Sequence, residues 1–277
     1  MSPDEYCRIK ASESGSSFLH SFRFLTPERR RAITALYAYC REIDDVVDSG
    51  EEKLLAQQKL NEWRDEVGNM LKGQAAHPVT IALFPHLSAY GIKGKHLFAL
   101  IDGMQMDLDQ RTYPDFEALS SYCWHVAGVV GIMAASIFGA TSEKTLLYAE
   151  KLGLAFQLTN IIRDVGEDTQ LGRIYLPEDE LIRFDVKKDD LFNLKYTPNF
   201  ALLMAFMARR AHKTYDEAFA LLPEQDRKAQ RPGLIMANIY RSLLFKIEKE
   251  NFKTLDRRIS LSTVRKLWLA WRAYAGI

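Results

Sequence analysis

Between residues 53 and 71 the apolar side chains fall at Leu54, Leu55, Leu60, Trp63, Val67 and Leu71, three or four apart for the most part, with polar residues between them. That spacing gathers them on one face of a helix. The same period recurs along the chain, and no sustained alternation of apolar and polar positions, the mark of a strand, survives a count. Punctuation falls where helices start and stop. Ser2-Pro3 with Glu5, and Thr26-Pro27, predict N-caps with proline in the first turn. Ser49-Gly50, Lys72-Gly73 and Leu171-Gly172 predict stops, and Pro78, Pro114, Pro198, Pro223 and Pro232 divide the remainder. About ten helices joined by short turns, without a linker or internal repeat, predict one all-α domain over residues 1–277. A helical bundle of this size keeps its site in a central cavity, walled by side chains on facing helices.

One stretch changes the picture. Ala118 to Ser142 carries no Asp, Glu, Lys or Arg across 25 residues, close to the length of a membrane span. Ser120, Ser121, His125 and Ser136, with Gly128, Gly131 and Gly139, make it too polar and too thin for that role. It reads as a buried helix against which another body lies close. His125 on this helix reads as a core residue rather than a ligand.

Composition narrows the function. The 277 residues are 47% apolar and 26% charged, which supports a sizeable core and a soluble globular protein. Thirty-seven basic residues against thirty-six acidic leave a net charge of +1, so no overall field points to nucleic acid. Cys7, Cys40 and Cys123 are widely spaced, which argues against a zinc site or a disulfide framework and fits a reducing cytoplasm. The opening "MSPDEYCRIK" has no apolar core and carries acids, unlike a secretory signal or transit peptide. Cytoplasmic localisation is expected.

The candidate chemistry lies in two clusters of aspartates. "YCREIDDVVDSG" places Asp44 and Asp48 four residues apart, so they share a helix face and repel. "LGLAFQLTNIIRDVGEDTQ" places Asn160, Asp164 and Asp168 on one stripe of a helix that is otherwise apolar. Acids on a solvated face normally alternate with lysine; this spacing gathers oxygen ligands instead. A solvated helix end accounts for either cluster alone. Two such ladders, each beside an arginine (Arg41, Arg163), point to facing helices around Mg²⁺, which prefers oxygen and bridges carboxylates to substrate phosphates. The arginines suit phosphate oxygens, so a diphosphate ligand is implied. None of the six histidines has a glutamate three residues before it, and no H-E-x-x-H, P-loop or G-x-G-x-x-G motif occurs, which removes di-iron, zincin and nucleotide-binding readings.

At these motifs the chain resembles the squalene/phytoene synthase family of head-to-head prenyl synthases. "YAYCREIDDVVD" corresponds to the family's first aspartate motif and "QLTNIIRDVGED" followed by "GRIYLP" to its second. "SGSSFLHSFRFL", "YCWHVAGVVG" and "PGLIMANIYRSLL" match as well. The resemblance implies the isoprenoid-synthase-type helical bundle, with Asp44, Asp48, Asn160, Asp164 and Asp168 holding two or three Mg²⁺ ions. It implies diphosphate contacts from Ser17, Arg41, Arg163 and Tyr240, and further site positions at Tyr37, Tyr122 and Gln157. Val126, Val130 and Gly131 would line a tunnel for the prenyl tails. The "SPDEYC" start and "ISLSTVRKLWLAW" end resemble bacterial presqualene-diphosphate synthases of hopanoid biosynthesis. That implies joining of two farnesyl diphosphates without NADPH, with downstream enzymes of the squalene pathway as partners. Phytoene or dehydrosqualene synthesis, and NADPH-dependent squalene synthesis, use the same ligands. A noncatalytic helical assembly factor would have no need of the carboxylates.

The C-terminus reads as a basic amphipathic tail, with Lys253, Arg257, Arg258, Arg265, Lys266 and Arg272 facing only Asp256 and with Leu261, Val264, Leu267, Trp268 and Trp271 as its apolar residues. Such a stripe ordinarily packs on its own protein. A lipid product would instead suit peripheral docking of this tail on the inner membrane face.

Overall fold

The caps form largely where the sequence places them. Ser2 Oγ accepts from the Glu5 amide at 3.2 Å and Thr26 Oγ1 from the Arg29 amide at 3.4 Å. Asp115, Ser142 and Thr197 cap three further helices in the same way. Gly73 and Gly172 take positive φ at the two expected stops. A computed structural model describes residues 1–13, 22, 25–48, 52–110 and 112–275 of the chain. The stop expected at Ser49-Gly50 lies outside the described residues.

The helices are α1 (Pro3–Glu13), α2 (Pro27–Asp48), α3 (Lys53–Leu71), α4 (Pro78–Ala89), α5 (Gly94–Asp109), α6 (Phe116–Cys123), a π-helical turn (Trp124–Gly128) and α7 (Val129–Phe138). They continue as α8 (Glu143–Gln170), α9 (Glu178–Arg183), α10 (Lys188–Phe192), α11 (Pro198–Leu221), α12 (Glu224–Arg227), α13 (Arg231–Lys249) and α14 (Thr263–Ala275). The architecture is all-α, and no strand occurs among the described residues beyond one isolated bridge between Thr112 and Ile174. The count exceeds the ten or so helices expected because α9, α10 and α12 span only one or two turns, too short to show a hydrophobic period.

Two apolar clusters make most of the core. One is built on α8 and α11, where Leu158, Ile162, Leu203, Met207, Ala211 and Tyr215 are buried together. The other lies among α1 to α5, with Leu36, Tyr39, Ile43, Leu60, Leu83 and Ile101. The run Phe116–Phe138 stands between them, and Val126 packs against both. That run is long and apolar enough to cross a membrane by length and composition, yet it is built into the bundle. It ends at Gly139, earlier than the uncharged stretch suggests, because Ser142 opens the next helix. A π-turn interrupts it at His125, whose Nδ1–H donates to the Ser121 carbonyl at 2.8 Å. His125 is half-buried rather than a core residue.

The thinness of this run serves helix packing. A Cβ added at Gly131 would lie 2.3 Å from the carbonyl oxygen of Ala149, so the backbones of α7 and α8 touch there. The start of α8 is held from the far side by Asp226 of α12. Its carboxylate accepts from the Thr141 amide at 2.9 Å and hydroxyl at 2.6 Å, and from the Thr145 hydroxyl. Burial alone would push this carboxyl up, but these donors more than offset it and hold it below the usual carboxylate range.

Two stability outcomes are expected. Gly131→Ala should lower unfolding free energy by about 1–3 kcal/mol in urea titration, since the neighbouring atom is backbone and gives way poorly. An unchanged midpoint would contradict the close contact. Asp226→Asn should cost about 1–3 kcal/mol at neutral pH. Because the native pKa lies below the unfolded value of about 3.9, this stabilisation is complete above that value and is lost as pH falls through the native pKa. The gap between variant and parent should therefore narrow in acid, and a gap independent of pH would contradict the charge-assisted clamp.

Candidate active site

Helix α2 carries the first ladder at its C-terminal end and α8 the second near its own, so both point the negative end of the helix dipole at the same region. The ladders open onto a cavity of about 900 Å³. Asp44 and Asp48 line it from α2; Asn160, Asp164 and Asp168 line it from α8. Tyr37, Arg41, Tyr122, Val126, Val130, Gly131, Gln157, Arg163 and Tyr240 line it too. The fold thus brings together every site residue expected from the sequence except Ser17, which lies outside the described residues. Gly131 is a partial correction: it borders the cavity, but the space a side chain would fill belongs to α8, so its smallness is explained by packing rather than by the tunnel.

Arginines answer each ladder. Arg41 donates to Asp44 and Asp45, and Lys10 of α1 holds Asp45 from the other side at 2.9 Å. Arg163 grips Asp164 through two donors, its Nε at 2.7 Å. Arg173 follows α8 and reaches α2, donating from Nη1 to Asp48 and from Nη2 to the Val47 carbonyl, both at 2.9 Å. Arg258 enters from the segment after α13, its Nε 3.0 Å from Asp164. That segment comes close because residue 166 of α8 is glycine; a Cβ there would lie 2.0 Å from the Leu255 carbonyl oxygen.

Sequence reasoning missed four functional candidates here: Asp107, Arg173, Tyr175 and Arg258. Asp107 of α5 is buried and accepts hydrogen bonds from the hydroxyls of Tyr175 at 2.7 Å and Tyr122 at 2.9 Å. Arg173 and Tyr175 sit inside "GRIYLP", a matched motif from which no individual residues were drawn. Asp107 gave a weaker signal, a lone acid among Leu100, Ile101, Met104 and Leu108 on an otherwise apolar face.

The arrangement holds more negative charge than it neutralises. Burial, and then Asp48, push the Asp44 carboxyl up to about 7 in spite of Arg41. Burial and Asp164 push Asp168 up to about 7 in spite of Arg173. Burial raises Asp107 to about 6 against its tyrosine bonds and Arg173. A divalent cation would relieve all three. Among the described residues' buried polar atoms without a partner, two belong to side chains at the ladders: Asn160 Oδ1, an acceptor, and Arg173 Nε, a donor. One suits a cation and the other an anion. Among the described residues no three acidic, histidine or cysteine side chains converge tightly enough to bind a metal by themselves. Mg²⁺ needs no such cluster, since it takes one or two carboxylates and completes its shell with water and substrate phosphate.

Comparison with known proteins agrees with this geometry. Residues 11–265 match the squalene/phytoene synthase family. Phytoene synthase 2, chloroplastic, of Solanum lycopersicum is 34% identical over 275 residues, covering 97% of this chain and 89% of that protein. Phytoene synthase of an Oncidium hybrid cultivar is 33% identical over 274 residues, covering 97% of this chain and 66% of the relative. Among solved structures, a dehydrosqualene synthase in complex with ligand superposes with a TM-score of 0.87 at 28% identity, covering 99% of this chain and 96% of that one. Squalene synthase HpnC from Alicyclobacillus acidocaldarius superposes with a TM-score of 0.80 at 25% identity, covering 90% of this chain and 94% of that one. With the two aspartate ladders facing one cavity and the match running almost end to end, the chain belongs to the squalene/phytoene synthase family of head-to-head prenyltransferases.

Proposed function

We propose that the protein joins two farnesyl diphosphates head to head (1'-2-3) to give presqualene diphosphate, releasing diphosphate and a proton, and that it needs no reductant. The observation that carries the prenyl-transfer reading is the pairing of charged and apolar halves in one cavity: both ladders with their arginines at one part, and side chains from both core clusters at the rest. A volume of about 900 Å³ is at the upper end for small-molecule sites and leaves room for two prenyl chains. Leu36, Leu100 and Met104 wall it from one cluster, Leu152, Phe156 and Leu243 from the other side, which suits two separate tails.

Each group has a task in this scheme. Arg41, Arg163 and Arg258 exchange their carboxylate contacts for diphosphate oxygens as substrate enters. Asp44, Asp48, Asn160, Asp164 and Asp168 would hold Mg²⁺, two or three ions, which when bound neutralises the charge developing on the leaving diphosphate. Tyr122, fixed by Asp107, and Tyr240, its ring 4.8 Å from that of Phe156, border the reacting ends. The apolar walls keep water from the allylic cation until the second double bond captures it. The farnesyl and presqualene assignment rests on the resemblance of the two chain ends. A second reading, phytoene from geranylgeranyl diphosphate, is favoured by the phytoene synthases among the relatives.

Incubating the purified protein with labelled farnesyl and geranylgeranyl diphosphates and Mg²⁺, with and without NADPH, separates the readings. Presqualene diphosphate from farnesyl diphosphate alone is expected; phytoene as the preferred product would overturn the substrate assignment. Asp44→Asn and Asp164→Asn should each lower turnover by about a hundredfold or more while circular dichroism stays that of the parent. Retained activity in either variant, or in excess chelator, would contradict the metal role.

A further inference from the structure

The last helix does not bury the stripe that its sequence offers. On α14 it is Leu269 and Ala270, 6% and 4% exposed, that pack against Ile235, Met236 and Ile239 of α13. Val264, Leu267, Trp268 and Trp271 stand outward at 78%, 46%, 40% and 59% exposure. Their spacing of three, four and seven residues makes them one continuous apolar face on the solvent side of the helix. Of the four tryptophans in the chain, these two are the ones exposed. Phe245 of α13, half exposed, extends the patch across a shallow groove that also holds Lys246, Lys249 and Arg265.

Charge selects the occupant. Residues 257 to 277 carry five basic side chains and no acidic one. The whole chain nets +1, so the other 256 residues net −4 (+1 less +5). Arg265 and Arg272 both lie over the Trp268 ring, 4.6 and 4.8 Å from its centroid, so cations border the apolar face directly. Tryptophan flanked by arginine on an amphipathic helix is the composition that settles at the headgroup boundary of an anionic bilayer. A second copy of the chain is a poorer partner, because a twofold contact through this face would set like charges against each other. Arg265, Lys266 and Arg272 fall among the apolar residues of the helix, which suits a helix lying along the surface of a bilayer. Lys266, Leu261 and Ser260 at the start of the same segment line the cavity, so the docking face and the reaction chamber share one wall.

We propose that α14 is a peripheral membrane anchor that seats the protein on anionic lipid through Val264, Leu267, Trp268 and Trp271, with Arg265 and Arg272 against the phosphates. Docking does not depend on which prenyl product forms, so it stands or falls separately from the substrate assignment.

The test is co-sedimentation of the full chain with vesicles of phosphatidylcholine containing none or about a third phosphatidylglycerol, at low and high salt. Binding is expected to rise with the anionic lipid, to weaken with salt, and to shift tryptophan emission to the blue. Val264→Ser with Trp271→Ser, and separately Arg265→Gln with Arg272→Gln, should each weaken partitioning about tenfold or more while prenyl transfer in detergent solution and the thermal midpoint stay those of the parent. Equal binding to neutral and anionic vesicles, no binding, or unchanged binding in both variants would overturn the proposal. So would a concentration-dependent dimer in sedimentation equilibrium that the Val264→Ser, Trp271→Ser variant abolishes.

Discussion

Crowding of five carboxylates along one cavity is the constraint on which the rest of this structure depends. Asp44, Asp48, Asp107, Asp164 and Asp168 share one cavity, near the negative ends of three helices, α2, α5 and α8. Desolvation first, and then the neighbouring carboxylates, raise Asp44, Asp107 and Asp168 above the ordinary carboxylate range. Arg41, Arg163, Arg173 and Arg258 balance some of this charge, and each does so from a different segment. The charges of the ladders thus tie α2, α8 and the segment after α13 together, and still leave a demand for positive charge that a divalent cation would meet.

Holding that tension requires a scaffold that does not yield. The anchors lie away from the ladders: the backbone contact of α7 with α8 at Gly131, the Asp226 clamp on the first turn of α8, and an apolar cluster on each side of the Phe116–Phe138 run. None of these touches a diphosphate, yet each fixes where the second ladder stands relative to the first. The apolar clusters meet the same need from the opposite direction, since their cavity-facing side chains exclude the water that would both screen the charges and quench an allylic cation.

What was legible in the sequence was what local spacing encodes. Four-residue steps placed Asp44 with Asp48 and Asn160 with Asp164 and Asp168, and caps such as Thr26 and Ser2 marked helix starts, because both depend on residues within one turn. The rest depends on contacts between distant segments. Asp107 meets Tyr175, and Arg258 meets Asp164, across 68 and 94 residues, separations that no helical period reports. The π-turn at Trp124–Gly128 is likewise invisible to a pattern of apolar positions. Gly131 and the C-terminal stripe show the same limit in another form: composition said small and amphipathic, but only the packing shows which neighbour takes the space and which face remains outside.

Metal binding measured apart from catalysis tests the central claim most directly. In calorimetric titration of Mg²⁺, the facing ladders should bind weakly alone and about tenfold or more tightly once inorganic diphosphate is present, with more than one ion per chain. Asp168→Asn should remove that enhancement while leaving the fold intact. Mg²⁺ affinity independent of diphosphate, or an enhancement that survives the variant, would show that the two ladders do not act together as a cation site.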